Sequence, residues 1–310
     1  MTMHGASSFP LPAAAADDVA SAAQLACLLE ASAAKPGNVR PGVPFADADY
    51  EDFLASAAAI GPALGAAGRR ALGTTVRIAV ESTRRWTRSN TNLGIVLMLA
   101  PLARAALAEA GAEVPRGTLR ERLRATLATT TVADAAEVYT AIRLASPGGL
   151  GTVDAEDVRE EPTVTLLEAM ALAADRDTIA REYTTGFAAT FDLGVPALQD
   201  ARRAGLAWSD AIVETYLVLL AAIPDTLIAR KRGHRTAGAV SRRACAVLGA
   251  GGVRTRAGRD AIAIFDRELR DAREPKNPGT TADLVAAALF VALLAGEWHG
   301  TAAPRPGGRP

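Results

Sequence analysis

Apolar residues recur at helical spacing through nearly the whole of this 310-residue chain, and this periodicity constrains the fold more than any other feature. Near the start, Val19, Ala22, Ala26 and Leu29 fall on one face of a helix. No Asn-Gly turn joins two strand-like segments. We therefore predict an all-α fold, a single compact domain of roughly a dozen helices over residues 17–300, with polar loops that form one active-site cleft.

The two ends and the apolar stretches bear on localisation. Residues 1–16 and 301–310 are rich in small residues and proline, so we predict that both segments are disordered. The start has no basic segment followed by a continuous apolar run. The most apolar stretches, Leu93–Ala103 and Leu284–Ala295, are shorter than the ~20 residues of a membrane helix. We expect a cytoplasmic protein without a membrane partner.

Charge and metal-ligand counts exclude several functional classes. The 34 basic residues balance 34 acidic residues, which argues against a nucleic-acid partner bound by a broad basic surface. Only two cysteines are present, Cys27 and Cys245, so a disulfide framework is not possible. The three histidines show no ligand spacing, which argues against a zinc enzyme.

Five polar segments interrupt the apolar helices, and each also has a plain structural reading as a helix cap, a flexible connector or a solvated charge run. They are Glu30–Val39, Arg88–Gly94, Arg143–Gly151, Pro224–Gly233, and the pair Phe265–Glu268 with Asn277–Leu284.

Three of these segments carry more polar chemistry than a cap needs. Arg88–Gly94 places four polar residues before a very apolar helix, where free N–H groups can hold a phosphate. Asp225 precedes three consecutive bases, which suits a divalent cation or a general base beside a polyphosphate. Asp283 lies in the predicted first turn of an apolar helix that Thr280 or Thr281 could cap. A carboxylate there is costly unless it is paired or metal-bound.

In this order the segments resemble the ATP:dephospho-CoA triphosphoribosyltransferase family, also called triphosphoribosyl-dephospho-CoA synthases, from about Leu28 to Leu294. Four of the segments are similar to family motifs. Lys35-Pro36-Gly37-Asn38-Val39 after Glu30 resembles Pro-Lys-Pro-Gly-Leu-Val after Glu, and Asn90–Ile95 resembles Asn-Thr-His-Lys-Gly-Ile/Ala. Asp225–Ala229 resembles Asp-Thr-Asn-Val-Ala, and Phe265–Glu268 with Pro278–Leu284 resembles Phe-Asp-Arg-Glu with Pro-Gly-Gly-Ser-Ala-Asp-Leu. Asn92-Leu93 stands in place of the family's His-Lys, and Leu227 in place of the Asn of Asp-Thr-Asn.

The resemblance implies a transferase that moves the triphosphoribosyl group of ATP to dephospho-CoA and releases adenine, for prosthetic-group biosynthesis. Such a reaction passes through an oxocarbenium-like state that carboxylates stabilise, and the triphosphate implies Mg²⁺. The catalytic candidates are Glu30 as a general base, with Asp225 and Asp283 for metal binding or oxocarbenium stabilisation.

The substrate-binding candidates are basic or amide residues of the same segments. We expect Lys35, Arg88, Lys231 and Arg232 to hold phosphates and Asn90, Thr91 and Asn92 to hydrogen-bond ribose or phosphate, with Asn38, Arg230 and Arg267 as further substrate-binding residues.

Two other functions remain open at this point. The Asn92-Leu93 departure allows a related ribosyl- or phosphoribosyl-transferase that acts on another acceptor. A helical nucleotide-binding protein without turnover would bind nucleotide tightly but release no base. A homodimer is expected on general grounds.

Overall fold

A computed structural model describes residues 14–45, 47–107, 117–147, 156–271, 273 and 275–299. Over these residues the chain forms α-helices and no β-strand, so the all-α prediction is confirmed. The fourteen helices are α1 Ala16–Ser32, α2 Tyr50–Gly65, α3 Leu72–Arg84, α4 Leu93–Ala106, α5 Leu119–Ala128, α6 Val132–Ala145, α7 Leu166–Ala173, α8 Thr178–Thr185, α9 Val195–Arg203, α10 Trp208–Ala222, α11 Thr226–Arg232, α12 His234–Gly249, α13 Arg256–Leu269 and α14 Gly279–Leu294.

The two most apolar segments of the sequence become the central helices of the core. Nearly every residue of α4 and α14 is buried, and both helices pack against each other and against surrounding helices. Among the described helices, no single one is long and apolar enough to cross a membrane. The apolar stretches are therefore explained by burial inside one helical domain.

Two prolines lie inside helices, and a side chain satisfies the carbonyl group that each one leaves free. Pro101 cannot donate to the carbonyl of Leu97, four residues earlier. The Tyr183 hydroxyl donates to that carbonyl instead, at 2.7 Å. A proline in the predicted helix Thr91–Gly111 favours a break or bend near Pro101, but α4 continues through it to Ala106.

The same arrangement occurs at Pro62 in α2. The carbonyl that lacks a helical donor there belongs to Ala58, and Gln24 Nε2 of α1 donates to it at 2.8 Å. Gly61 lets Gln24 approach, since a Cβ at Gly61 would lie 2.6 Å from the Gln24 amide group.

Helix starts follow capping chemistry that is visible in the sequence. Thr118, Thr131 and Thr165 each begin a capping box with an acidic residue three positions later. Asp225 caps a helix where the sequence analysis placed a loop: Asp225 Oδ1 accepts from Ile228 N at 3.0 Å, and α11 follows. The loop prediction for residues 224–233 was therefore wrong, because this helix is too short to show a clear apolar period.

Two other boundaries differ from the prediction. The apolar spacing predicts one helix over Asp177–Phe191, but α8 ends at Thr185, and Gly186 follows it with a left-handed φ of 62°. A π-helical turn follows at Ala189–Gly194. Helix α14 begins at Gly279 after Pro278, so Asp283 lies in the second turn, and neither Thr280 nor Thr281 is the cap.

The predicted disordered ends lie almost wholly outside the described residues. Of residues 1–16, only 14–16 are described, and α1 begins at Ala16, one residue before the predicted domain start. Residues 301–310 and the glycine-rich residues 148–151 also lie outside the described part of the chain.

Candidate functional site

The five polar segments of the sequence meet at one cavity of about 940 Å³. Each segment contributes lining residues, although only the 277–283 half of the last segment reaches the cavity. Helices α4, α6, α7 and α8 contribute mostly apolar side chains, including Ile142, Met170 and Ile179. The loop before α4, the helix α11 and the start of α14 contribute polar groups. The cavity lining therefore combines apolar and charged side chains.

Two acidic residues from distant helices line the cavity together. Glu30, near the end of α1, is 3% exposed, and Asp283 faces it from α14. Burial raises the pKa of Asp283 well above its ordinary value, and the charges of Glu30, Asp225 and Asp177 raise it further. Within the described residues, no hydrogen bond reaches the Asp283 carboxyl group, so it is available to a ligand.

Gly94 makes room for the Asp283 carboxyl group at the start of α4. A Cβ at Gly94 would lie 2.0 Å from Asp283 Oδ2 and 2.8 Å from Ile179 Cδ1. Any side chain at this position would displace the carboxyl group. The glycine of the Asn90–Ile95 segment therefore serves the acidic site rather than a turn.

Glu30 forms a buried ion pair with Lys35, from the turn that follows α1. Lys35 Nζ lies 2.9 Å from Glu30 Oε1, although no hydrogen bond of good geometry reaches that oxygen. Nζ also donates to the Glu30 carbonyl group. Lys35 is 0% exposed and does not line the cavity. Its ammonium group is therefore directed at Glu30 and away from any phosphate in the cavity.

Asp225 is buried next to the site but does not line the cavity. Besides capping α11, it accepts from Thr281 N and Thr281 Oγ1 through Oδ2, both at 2.8 Å. Burial raises the Asp225 pKa, while these hydrogen bonds lower it. Because Asp225 joins the starts of α11 and α14, it sets the position of the bases of α11 relative to Asp283.

Basic side chains also line the cavity. Arg88, Lys231 and Arg232 are exposed and line it. Arg230 also lines it and forms an ion pair with Asp177 at 3.2 Å. These four predicted substrate-binding residues are therefore brought together at one rim.

The amide and hydroxyl candidates line the cavity but are partly engaged within the protein. Asn90 Oδ1 accepts from Leu93 N at 3.1 Å and so caps α4. Asn92 Nδ2 donates to Thr83 Oγ1 at 3.1 Å, and the Thr91 hydroxyl pairs with that of Ser56. Asn38 Nδ2 is 3.4 Å from the Pro278 carbonyl oxygen.

Arg267 lies apart from the other candidates. It is exposed on α13 and does not line the cavity. Its neighbour Asp266 is buried, as is Phe265 of the same motif. Asp266 accepts from Gly37 N at 2.7 Å and from Arg270 Nε at 2.8 Å. Since Gly37 has a φ of +73°, Asp266 stabilises the turn that carries Lys35 and Asn38.

Sequence reasoning missed several lining residues. Arg84 and Arg176 add positive charge to the cavity, and Asp177 adds a carboxylate that also caps α8 through Ile179 N at 2.8 Å. The sequence feature that could have identified Arg84 as a lining residue is its position four residues before Arg88. Phe45 and Phe53, whose ring centroids are 6.0 Å apart, also line the cavity and carried no motif.

Carboxyl groups and basic side chains that line one cavity of a helical domain are typical of proteins that bind charged small molecules. The sequence profile of the ATP:dephospho-CoA triphosphoribosyl transferase family matches residues 16–301. The chain belongs to this family.

Individual relatives agree with the family match over shorter segments. The 2-(5''-triphosphoribosyl)-3'-dephosphocoenzyme-A synthase of Klebsiella pneumoniae is 33% identical over 115 residues, which cover 37% of this chain and 40% of that protein. A Pseudomonas putida protein named for the same synthase is 36% identical over 106 residues, or 34% and 37% of the two chains. The matched segments thus span well under half of these relatives.

A solved structure is similar over a longer range. The crystal structure of an Archaeoglobus fulgidus protein named as a triphosphoribosyl-dephospho-CoA synthase has a TM-score of 0.60 and 30% identity. The similarity covers 78% of this chain and 99% of that one. The helical architecture is therefore shared with this solved structure.

Proposed function

We propose that this protein transfers the triphosphoribosyl group of ATP to a ribose hydroxyl group of dephospho-CoA and releases adenine. The observation that carries the proposal is the convergence of the family-like segments on one cavity that pairs carboxyl groups with a basic rim. The Asn92-Leu93 and Leu227 departures leave this arrangement in place. In the proposed reaction the C1′–N9 bond of ATP breaks, a C1′–O bond forms, and the hydroxyl proton of the acceptor ends on adenine.

The charges of the cavity suit the two halves of this chemistry. Arg88, Lys231 and Arg232 can bind the triphosphate through charge-assisted hydrogen bonds. Glu30 and Asp283 can stabilise positive charge that develops at C1′ and move protons between acceptor and leaving base. Asp225 supports the site by holding α11 against α14 rather than by touching a substrate.

Mg²⁺ enters this proposal as part of the ATP complex. Among the described residues, no three His, Cys, Asp or Glu side chains are placed to hold a metal ion together. The expected ligand pair of Asp225 and Asp283 does not fit, because protein N–H and O–H groups already occupy both Asp225 oxygens. Phosphate oxygens and water are sufficient ligands for Mg²⁺. Since ATP is a cytoplasmic metabolite, we also propose that the protein acts in the cytoplasm.

The test is to incubate the purified protein with ATP, Mg²⁺ and dephospho-CoA and to measure free adenine and product mass. We expect adenine only when dephospho-CoA is present, together with a triphosphoribosyl adduct. Asp283→Asn should abolish turnover, and the control Asp200→Asn, at an exposed ion pair with Arg203, should not. Adenine release without an adduct would indicate another acceptor, and nucleotide binding without adenine release would indicate a protein without this activity.

A further inference from the structure

The Lys35 side chain forms a buried ion pair with Glu30, a contact that its position in a polar motif does not predict. It is wholly buried behind Glu30, and its ammonium group lies 2.9 Å from the Glu30 carboxylate. The turn that carries it is fixed by two hydrogen bonds directly after Lys35. The Tyr216 hydroxyl donates to the Pro36 carbonyl at 2.7 Å, and Gly37 donates to Asp266. Lys35 is therefore held in place to act on Glu30.

Asp283 has the opposite surroundings. No ammonium or guanidinium group forms an ion pair with it among the described residues, and Ile179 lies against the same space beside Gly94. The charged groups that act on it are Glu30 on α1, Asp177 before α8, and Asp225 and Arg230 at either end of α11. The one base in this set, Arg230, is shared with Asp177.

Two carboxyl groups that face one cavity resist simultaneous ionisation, so the group with the better partner loses its proton first. Glu30 has a buried ammonium partner, and Asp283 has an excess of negative neighbours. The two carboxyl groups of the cavity therefore differ in their partners: Glu30 is paired with a buried ammonium group, and Asp283 is not.

We propose that Lys35 is a positioning residue that keeps Glu30 ionised, so that Asp283 retains a proton and acts as the general acid toward the leaving base. The proposal rests on the function proposed above. It assigns Lys35 to the acidic pair and not to the phosphates.

In the proposed step, protons are exchanged so that Glu30 and Asp283 return to their starting protonation states. As the C1′–N9 bond breaks, Asp283 donates its proton to a ring nitrogen of adenine. The acceptor hydroxyl oxygen forms the new bond to C1′, and its proton passes to the Glu30 carboxylate. Transfer of that proton from Glu30 to Asp283 then restores the starting state, and no further reactant is needed.

The sign of one pKa change tests the proposal without turnover. Loss of a nearby positive charge would, by direct electrostatics, raise the Asp283 pKa. If Lys35 acts through Glu30, Lys35→Met instead lets Glu30 take up the proton, and the Asp283 pKa falls. We would follow the carboxyl groups by ¹³C NMR of protein labelled at aspartate and glutamate side chains, with Asp283→Asn and Glu30→Gln to assign the signals.

The expected result is a protonated Asp283 at neutral pH in the wild type and a lower Asp283 pKa in Lys35→Met. An unchanged or higher Asp283 pKa in Lys35→Met would overturn the proposal, and so would an ionised Asp283 in the wild type. If Lys35→Met does not fold, the double variant Glu30→Gln/Lys35→Met removes both buried charges. That variant should also show a lowered Asp283 pKa, and an unlowered value there would equally overturn the proposal.

Kinetics supply a second readout and a matched control. Lys35→Met should lower kcat about 100-fold and leave the KM for ATP unchanged, because Lys35 does not reach the cavity. Lys231→Met, at the exposed rim, should instead raise the KM for ATP. A raised KM in Lys35→Met would mean that Lys35 serves the phosphates after all. If no variant and no wild type turns over, the proposed function fails, while the carboxyl titration still decides the proton assignment.

Discussion

Asp225 and Asp283 look alike in the sequence, yet the structure gives them different tasks. Each follows a proline by one to five residues near the start of a helix. Both carboxylate oxygens of Asp225 accept hydrogen bonds from groups of the protein, whereas Asp283 faces the cavity among other acids. Sequence alone could not separate them, because the difference lies in which distant backbone groups reach each carboxyl group.

Amide substitutions should therefore shift stability in opposite directions. Asp283→Asn removes an acid from an acidic cluster and should raise the free energy of unfolding at neutral pH by about 1–2 kcal/mol. Asp225→Asn places an NH₂ group against Thr281 N and should lower it by about 1–3 kcal/mol. Urea unfolding at pH 7 measures both values, and a destabilised Asp283→Asn variant would contradict the acidic-cluster description.

The pH dependence of this difference follows from the raised Asp283 pKa. Below the carboxyl pKa of the unfolded chain, both states are protonated and Asp283 costs nothing. As pH rises from there toward the folded pKa, only the unfolded chain releases the proton, so the contribution of Asp283 to stability falls. The stability advantage of Asp283→Asn should thus grow from pH 4 to pH 7. A constant difference over that range would show that the Asp283 pKa is not raised.

At the scale of elements, the sequence predicts long amphipathic helices well and short or interrupted ones poorly. The sequence predicts a helix over Val132–Ala145, and α6 has the same bounds, because a Thr-x-x-Asp capping box and a regular apolar period coincide. Helix α11 was missed because seven residues that end in three bases show no period. The π-helical turn was missed because the Glu182 side chain stabilises it, and no local sequence pattern indicates such a contact. Glu182 Oε1 accepts from Ala189 N, and Oε2 accepts from Thr190 N.

Some residues of the candidate site can likewise be predicted from the sequence, and others cannot. Sequence motifs identified six of the twelve acidic and basic residues that line the cavity among the described residues, since those six stand in polar runs between apolar helices. The choice between neighbours needed helical phase: Asp266 is buried and Arg267 is exposed one position later on α13. Lys35 needed tertiary contacts, because burial behind Glu30 is invisible in a Lys-Pro-Gly turn.

The proline inside α4 gives an element-scale prediction. Tyr183→Phe leaves the Leu97 carbonyl without its donor and should cost about 1–3 kcal/mol. In a Pro101→Ala background the helix restores an N–H donor to that carbonyl, so the same Tyr183→Phe change should cost less. A double-mutant cycle measured by urea unfolding checks this coupling, and strictly additive effects would mean that the two groups do not share the carbonyl.

At the scale of the whole molecule, the zero net charge is repeated at the cavity, whose lining among the described residues holds six acidic and six basic side chains. The bases of α11 and Arg88 both line it although they are distant in sequence. Because salt screens charges beyond about 8–10 Å, the proposed nucleotide binding would depend on these local bases and not on the overall charge.

Removal of rim charges should therefore weaken ATP binding more than AMP binding. Arg232→Ala and Arg88→Ala should each lower ATP affinity about five- to tenfold, with a smaller effect on AMP. Arg242→Ala, on an exposed part of α12 away from the cavity, is the matched control and should bind both nucleotides normally. Calorimetric titration at two salt concentrations provides the measurement, and equal losses for ATP and AMP would place the triphosphate elsewhere.

The missing side chain at Gly94 has a consequence for reading other sequences. A Cβ there would lie 2.0 Å from Asp283 Oδ2 and 2.5 Å from Asp283 Cγ, so the carboxyl group of α14 can take its place only because α4 carries no side chain at this point. We expect alanine at this position to shift the Asp283 carboxyl group while every acidic residue stays in the sequence. A related chain with alanine here would therefore keep the charged motifs of the site but not the same placement of its acid.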